Sequence, residues 1–197
     1  MPTDYPLAPD WRIAHWLNTP SPLTLQALRG RVVVLHAFQM LCPAYVSDGL
    51  PQAARIDRLF SRDTVCVLGL HTVFEHHAVM GLEALKAFVH EYRLQFPISV
   101  DQPDPSSAVP LTMQAYGLQG TPSLVLIDKA GRVRLSHFGR IDDLAIGAAI
   151  GQLREEGGAP PVLLEAATGP EGSSATTAGT CTNDLCPTGV SRNEGGV

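Results

Sequence analysis

Apolar positions along the chain fall into runs of two kinds. Residues 31–38 form a β-branched stretch, Val32-Val33-Val34-Leu35 followed by His36, Ala37 and Phe38, long enough for a buried strand and preceded by the turn pair Arg29-Gly30. Residues 64–70 repeat that pattern as a second buried strand, and the intervening segment from Ala44 to Phe60 has helical composition. Leu82, Leu85, Phe88, Val89 and Tyr92 recur at three- and four-residue spacing, the stripe of an amphipathic helix. A short strand follows at 97–101. Residues 123–128 and 132–138 flank Lys129-Ala130-Gly131, a hairpin-length loop carrying glycine. A last helix over 141–155 opens on Asp142 and Asp143, where negative charge suits the positive end of the helix dipole. Strand, helix, strand, helix, short strand, hairpin and closing helix predict an α/β architecture, a mixed central sheet flanked by helices.

Composition sets the boundaries. With 45% apolar and 17% charged residues in 197, a packed core is expected over most of the chain. The pattern stops near residue 156. The remaining 41 residues hold 8 of the 18 glycines, many Ser, Thr and Ala, and no aromatic, so they cannot bury enough surface to offset their ordering entropy. Three regions are predicted: a lead-in at 1–22, one domain at 23–156, and a flexible C-terminal tail at 157–197. The lead-in carries five prolines and two acids and lacks the apolar core of a signal peptide, which predicts a cytoplasmic, reducing location. A net charge of -5 argues against nucleic-acid or membrane-surface partners, and no run approaches the length of a membrane span.

Four cysteines are too few for a disulfide scaffold and in a reducing setting are candidates for chemistry. Cys42 follows the first buried strand and precedes the helical segment. At a helix N-terminus a thiol meets unpaired backbone N–H groups and the positive dipole end, both of which favour the nucleophilic thiolate. Pro43 suits the first helical turn, where its missing N–H costs nothing. Cys66, inside the second strand, reads as buried and structural.

The Leu28-Arg29-Gly30-Arg31 turn, the buried strand ending in Phe38, the segment Leu68-Gly69-Leu70-His71 and the loop Tyr116-Gly117-Leu118-Gln119-Gly120-Thr121-Pro122 with its following hairpin resemble, in order and spacing over roughly residues 8–155, the redoxin or TlpA-like thiol–disulfide oxidoreductases. The resemblance implies a thioredoxin-like fold, a short Leu-x-Leu strand at 23–25, and a cis-proline loop in which Thr121 and Pro122 shape the substrate groove beside the nucleophile. It also implies Cys-x-x-Cys, whereas this chain has Cys42-Pro43-Ala44-Tyr45. Tyr45 stands at the resolving position. Pro51 lies 13 residues after Phe38, like the helix proline of TlpA-like domains, and by that count Cys42 falls one residue early. A one-residue rearrangement at the helix start is therefore expected.

A mixed disulfide on Cys42 must then be resolved by a thiol from elsewhere. Candidates are an external thiol, such as that of a glutathione or thioredoxin system, Cys66, and the tail pair Cys181 and Cys186. About 25 residues of flexible chain reach about 25–30 Å, enough to bring that pair across a domain with a radius of gyration of about 15 Å. The tail pair reads alternatively as a weak metal signal or as idle thiols. His71, at a strand C-terminal end, is an auxiliary candidate for stabilising a thiolate or moving a proton. Glu75, His76 and His77 read as a solvated loop rather than a metal site, and neither metal nor other cofactor is predicted. The expected reaction is thiol–disulfide exchange on a disulfide-containing protein or small molecule through one motif cysteine. The alternatives are a binding module that has lost catalysis and a thiol-dependent, antioxidant peroxidase, although Gln39 and Leu35 stand where a peroxidatic motif has threonine and proline.

Overall fold

Buried strands dominate the computed structural model, which describes residues 5–156. β1 (Ile13–Leu17), β2 (Val32–Phe38), β3 (Val65–His71), β4 (Ile98–Asp101), β5 (Ser123–Ile127) and β6 (Val133–Phe138) make one mixed sheet in the order β1-β4-β3-β2-β5-β6. β2 and β3 are parallel, β3 and β4 are parallel, and β5 runs antiparallel to both β2 and β6. This is the mixed sheet of a thioredoxin-like fold.

The two central strands are buried at every position because both sheet faces are covered. On one face Val32, Val34 and Phe38 pack against α1 (Leu50–Leu59) and α4 (Asp143–Glu155) through Leu50, Ala53, Ile56, Ile146 and Ile150, with α2 (Leu82–Glu91) contributing Leu85 and Val89. On the other, Val33, Leu35 and Ala37 meet Leu25, Leu28, Leu68 and Val125, with Trp11, Trp16 and Tyr116 packed outside them. A short α3 (Leu111–Ala115) is held by Asp101, whose carboxylate accepts from the Thr112 and Met113 backbone N–H groups. α4 begins at Asp142, whose side chain accepts from the Leu144 and Ala145 N–H groups as an N-cap.

Two expectations need correction. Residues 13–17 of the lead-in are not a prelude to the domain, because β1 pairs antiparallel with β4 and forms an edge of the sheet. Its half-exposed positions and flanking prolines hid it in the sequence. The Leu-x-Leu segment at 23–25 is not a strand. Leu25 instead enters the core from an irregular turn.

Gly69 shows how tightly the site-bearing strands are packed. A Cβ there would lie 2.6 Å from Ile98 Cδ1 and 3.2 Å from Phe38 Cε1. Gly69→Ala is expected to destabilise the domain by about 1–3 kcal/mol, read from the midpoint of urea unfolding, since the Ile98 side chain it meets is fully buried and the Phe38 and Phe96 rings stand close by. An unchanged midpoint would refute this packing.

Candidate functional site

Cys42 sits where β2 ends and helix begins. Its N–H donates to the Gln39 carbonyl at 3.1 Å, Pro43 and Ala44 are already helical, and the Cys42 carbonyl accepts from Val46 N at 3.1 Å. The sulfur therefore flanks the first turn, near N–H groups with no intrahelical acceptor. The thiol is half-buried, and Sγ donates to the Thr121 carbonyl at 3.3 Å. The Thr121–Pro122 peptide bond is cis. On the far side of the loop, the Pro122 carbonyl accepts from Gly139 N at 2.8 Å, and Ser123 Oγ donates to the Gly120 carbonyl at 2.7 Å. Cys42, Thr121 and Pro122, 79 residues apart at the closest contact, thus share one rim. Exposed apolar side chains border it: Leu41 precedes the cysteine, and Phe138 lies over Gly120.

The helix after Cys42 contains a π-helical turn, Tyr45–Gly49, closed by a bond from Leu50 N to the Tyr45 carbonyl. A π-turn holds one residue more than an α-turn. That extra residue accounts for the offset between Cys42 and Pro51 seen in the sequence. Tyr45 is completely buried, its ring stacked on Phe38 with centroids 4.5 Å apart and planes 16° apart. Gly49 makes room for it, since a Cβ there would come within 2.7 Å of the tyrosine ring. The Tyr45 hydroxyl has no partner among the described residues, and burial raises its pKa far above the ordinary range, so it stays protonated.

His71 is the auxiliary candidate that the sequence offers. It is buried at the end of β3, beside the Phe38 ring at 5.2 Å, and Nε2 has no partner among the described residues. Burial lowers its pKa to about 4, so at neutral pH it offers no positive charge to a thiolate. Gln39 Nε2 donates to Glu75 at 3.4 Å, while His76 and His77 are exposed, His77 lining the same cleft as His71. Among the described residues no cluster of three or more His, Cys, Asp or Glu is spaced to hold a metal. Cys66 lies in the core layer on the opposite sheet face from the one Cys42 packs against, and burial pushes its thiol up to about 11. Cys181 and Cys186 lie outside the described residues.

Sequence reasoning missed His36. It interrupts the apolar row Val32, Val34, Phe38 on the helix-covered face, is buried, and has an unpartnered Nε2. Burial lowers its pKa to about 4. A polar residue inside an otherwise apolar alternation was the signal available for it. Both histidines are neutral when folded and titrate near 6.5 when unfolded, so below pH 6.5 the unfolded state binds more protons. Stability is therefore expected to be complete above about pH 6.5 and to fall as pH drops toward about 4. Urea midpoints across that window test this.

Similarity to solved structures decides the family. A crystal structure of a thioredoxin-like superfamily protein is 53% identical, with a TM-score of 0.74 over 75% of this chain and 96% of that one. The chain belongs to the redoxin and TlpA-like family of the thioredoxin-like superfamily. A thiol-disulfide isomerase from Corynebacterium glutamicum is 45% identical to this redoxin-family chain, with a TM-score of 0.73 over 76% of it and 96% of the isomerase. A thioredoxin-like protein solved in its oxidised form shares the fold at 18% identity, with a TM-score of 0.63 over 79% and 99% of the two chains. No family model and no curated protein matches. Among the described residues, no helix of this redoxin-family domain is long and apolar enough to cross a membrane.

Proposed function

We propose that the protein exchanges thiols and disulfides through the single motif cysteine Cys42. The observation that carries this reading is the sulfur's position between a helix N-terminus and the Thr121 carbonyl, 3.3 Å away. The Cys42 thiolate attacks one sulfur of a substrate disulfide R–S–S–R′, forming Cys42–S–S–R and releasing R′–S⁻, which takes up a proton. The Thr121 backbone and Pro122 form the lip along which an extended substrate lies, and Leu41 and Phe138 offer it apolar contact. Disulfide-containing proteins suit such an open rim.

Tyr45 supplies no second thiol, so Cys42–S–S–R is released by a thiol that arrives from outside the motif: an external small thiol, a thioredoxin-type protein, or the Cys181 and Cys186 pair. Burial and the opposite sheet face set Cys66 apart from this step. The domain itself needs no cofactor for exchange, and we assign it to the cytoplasm, where such thiols are kept reduced. A second reading, a docking module that has lost catalysis, draws its support from Tyr45 being built into the core.

Incubation of the full chain with oxidised glutathione, followed by peptide mass spectrometry, tests the reading. The expected product is an adduct on Cys42, passing to Cys181 or Cys186 if the tail resolves it and persisting until thiol is added if it does not. A Cys42 that stays free while other cysteines react would favour the docking module.

A further inference from the structure

A cavity of about 380 Å³ opens behind the Pro122 lip, between the π-turn, α1 and the loop that joins β6 to α4. His36 and Pro122 line its inner wall, and Gln52, Asp48, Arg55 and Arg140 line its sides. Two ion pairs frame it: Arg140 to Asp48 at 2.9 Å and Arg55 to Asp143 at 2.8 Å. Both are solvent-exposed to a degree that makes them weak, so their groups exchange partners at little cost. Gln52, by contrast, is committed to the Ile141 carbonyl and Asp143, and Asp142 to its N-cap bonds. His36 is only 2% exposed, and its Nε2 is left without a partner among the described residues. Buried polar atoms in a folded protein are nearly all satisfied, which makes this imidazole an unusual polar element in the cavity wall.

We infer that this cavity seats the resolving thiol, and that this thiol is a small molecule with amino-acid ends, carrying both an ammonium and a carboxylate. The inference rests on the proposed exchange at Cys42 and names its second substrate. Charge chooses the class. A simple anion would meet Asp48, Asp142 and Asp143 as well as the two arginines, and a simple cation would meet Arg55 and Arg140. A zwitterion satisfies both signs, its carboxylate toward Arg140 and its ammonium toward Asp48 or Asp143. His36 lies in the wall, buried and neutral, and adds no charge to this balance. Position chooses the role. Pro122 belongs to the cavity wall, and the carbonyl of the residue before it, Thr121, lies 3.3 Å from the Cys42 sulfur. Neither Thr121 nor Cys42 lines the cavity, so a ligand anchored there extends past Pro122 to bring its sulfur to the mixed disulfide.

The bound thiol loses its proton to water and attacks the R sulfur of Cys42–S–S–R. The bond between that sulfur and Cys42 breaks, Cys42 leaves as thiolate, and the new disulfide joins R to the ligand. Over the whole cycle one disulfide and one thiol are consumed and one of each is formed, with no other oxidant or reductant.

Binding is measured apart from chemistry by titrating S-methylglutathione, which has the amino-acid ends but no thiol, into the full chain carrying Cys42→Ser and following backbone amide signals by NMR. Shifts centred on Asp48, Gly49, Gly139 and Arg140 are expected. Arg140→Glu, on the surface and harmless to the core, should weaken them by about tenfold, as loss of a charge-assisted contact does. Methylthioethanol, a neutral thioether, should produce none. Absent shifts, shifts elsewhere, equal binding by the neutral compound, or an indifferent Arg140→Glu would each overturn the inference. Turnover with dithiothreitol, which needs no such site, separates the two ideas. If it depends on Cys42 while S-methylglutathione does not bind, only the cavity assignment falls. If it does not depend on Cys42, the exchange reading falls and the resolving role with it.

Discussion

Cys42→Ser is expected to lower disulfide exchange by at least about a hundredfold while the domain stays folded. Under the proposed exchange this sulfur is the nucleophile of the rim, and a serine hydroxyl in its place is far too weak an acid to replace it. Folding should be spared because the position precedes the first helical residue, where serine is among the favoured caps. The other described cysteine is no substitute. Cys66 is buried on the opposite core layer with its thiol pushed up to about 11, which leaves it protonated and shielded. The measurement is dithiothreitol-dependent reduction of a protein disulfide, with far-UV circular dichroism as the control for folding. A second variant, Cys181→Ser with Cys186→Ser, separates resolution from attack: it should leave adduct formation on Cys42 intact whatever it does to turnover. Equal rates in wild type and Cys42→Ser would remove Cys42 from the chemistry.

The parts of this molecule written most plainly in its sequence are those whose burial is two-sided. β2 and β3 carry near-continuous apolar runs because helices and loops cover both faces of the sheet, and no other element accounts for such runs bounded by turn residues. The rim was legible for a different reason: Cys42 is a local signal at a strand-to-helix junction, while Thr121-Pro122 stood out through the family resemblance of its loop. β1 was lost because an edge strand with exposed positions alternates weakly, and its pairing with β4 is set by contacts about 85 residues away in sequence. α3 was lost because five residues carry too little periodicity to separate from a loop. The π-turn showed itself only as a counting mismatch between Phe38, Cys42 and Pro51. The cavity behind Pro122 left no local trace, because it is assembled from four separate elements, and its one sequence mark is a histidine inside an apolar row. Burial of His71 is likewise a distinction the sequence does not carry: the end of a strand borders the site, but the side chain there is enclosed beside Phe38.

Tyr45→Cys is expected to change the reaction course more than any other single substitution, and to cost stability in doing so. It places a second thiol three residues after Cys42, on the first turn of the same helix, at the spacing that lets one sulfur displace a substrate from the other. Cys42–S–S–R should then be resolved within the chain, giving a disulfide between Cys42 and the introduced thiol that is detectable as a loss of two hydrogens in the peptide mass. Adducts of oxidised glutathione should no longer persist. Against this stands packing. Tyr45 is fully buried, stacked on Phe38 at 4.5 Å, and Gly49 leaves the space its ring fills. Replacing so large a side chain with a thiol should destabilise the domain by about 3–5 kcal/mol, the range of buried aromatic truncations. Tyr45→Phe provides the control. It keeps the stacking, removes a hydroxyl that has no partner among the described residues, and should unfold at an equal or higher urea concentration, with exchange unchanged. The two variants together distinguish a tyrosine retained for volume from one retained for its hydroxyl. A Tyr45→Cys protein that folds yet still accumulates the Cys42 adduct would mean that the π-turn aims position 45 away from the rim, and that resolution by an outside thiol is imposed by backbone shape as well as by the missing sulfur.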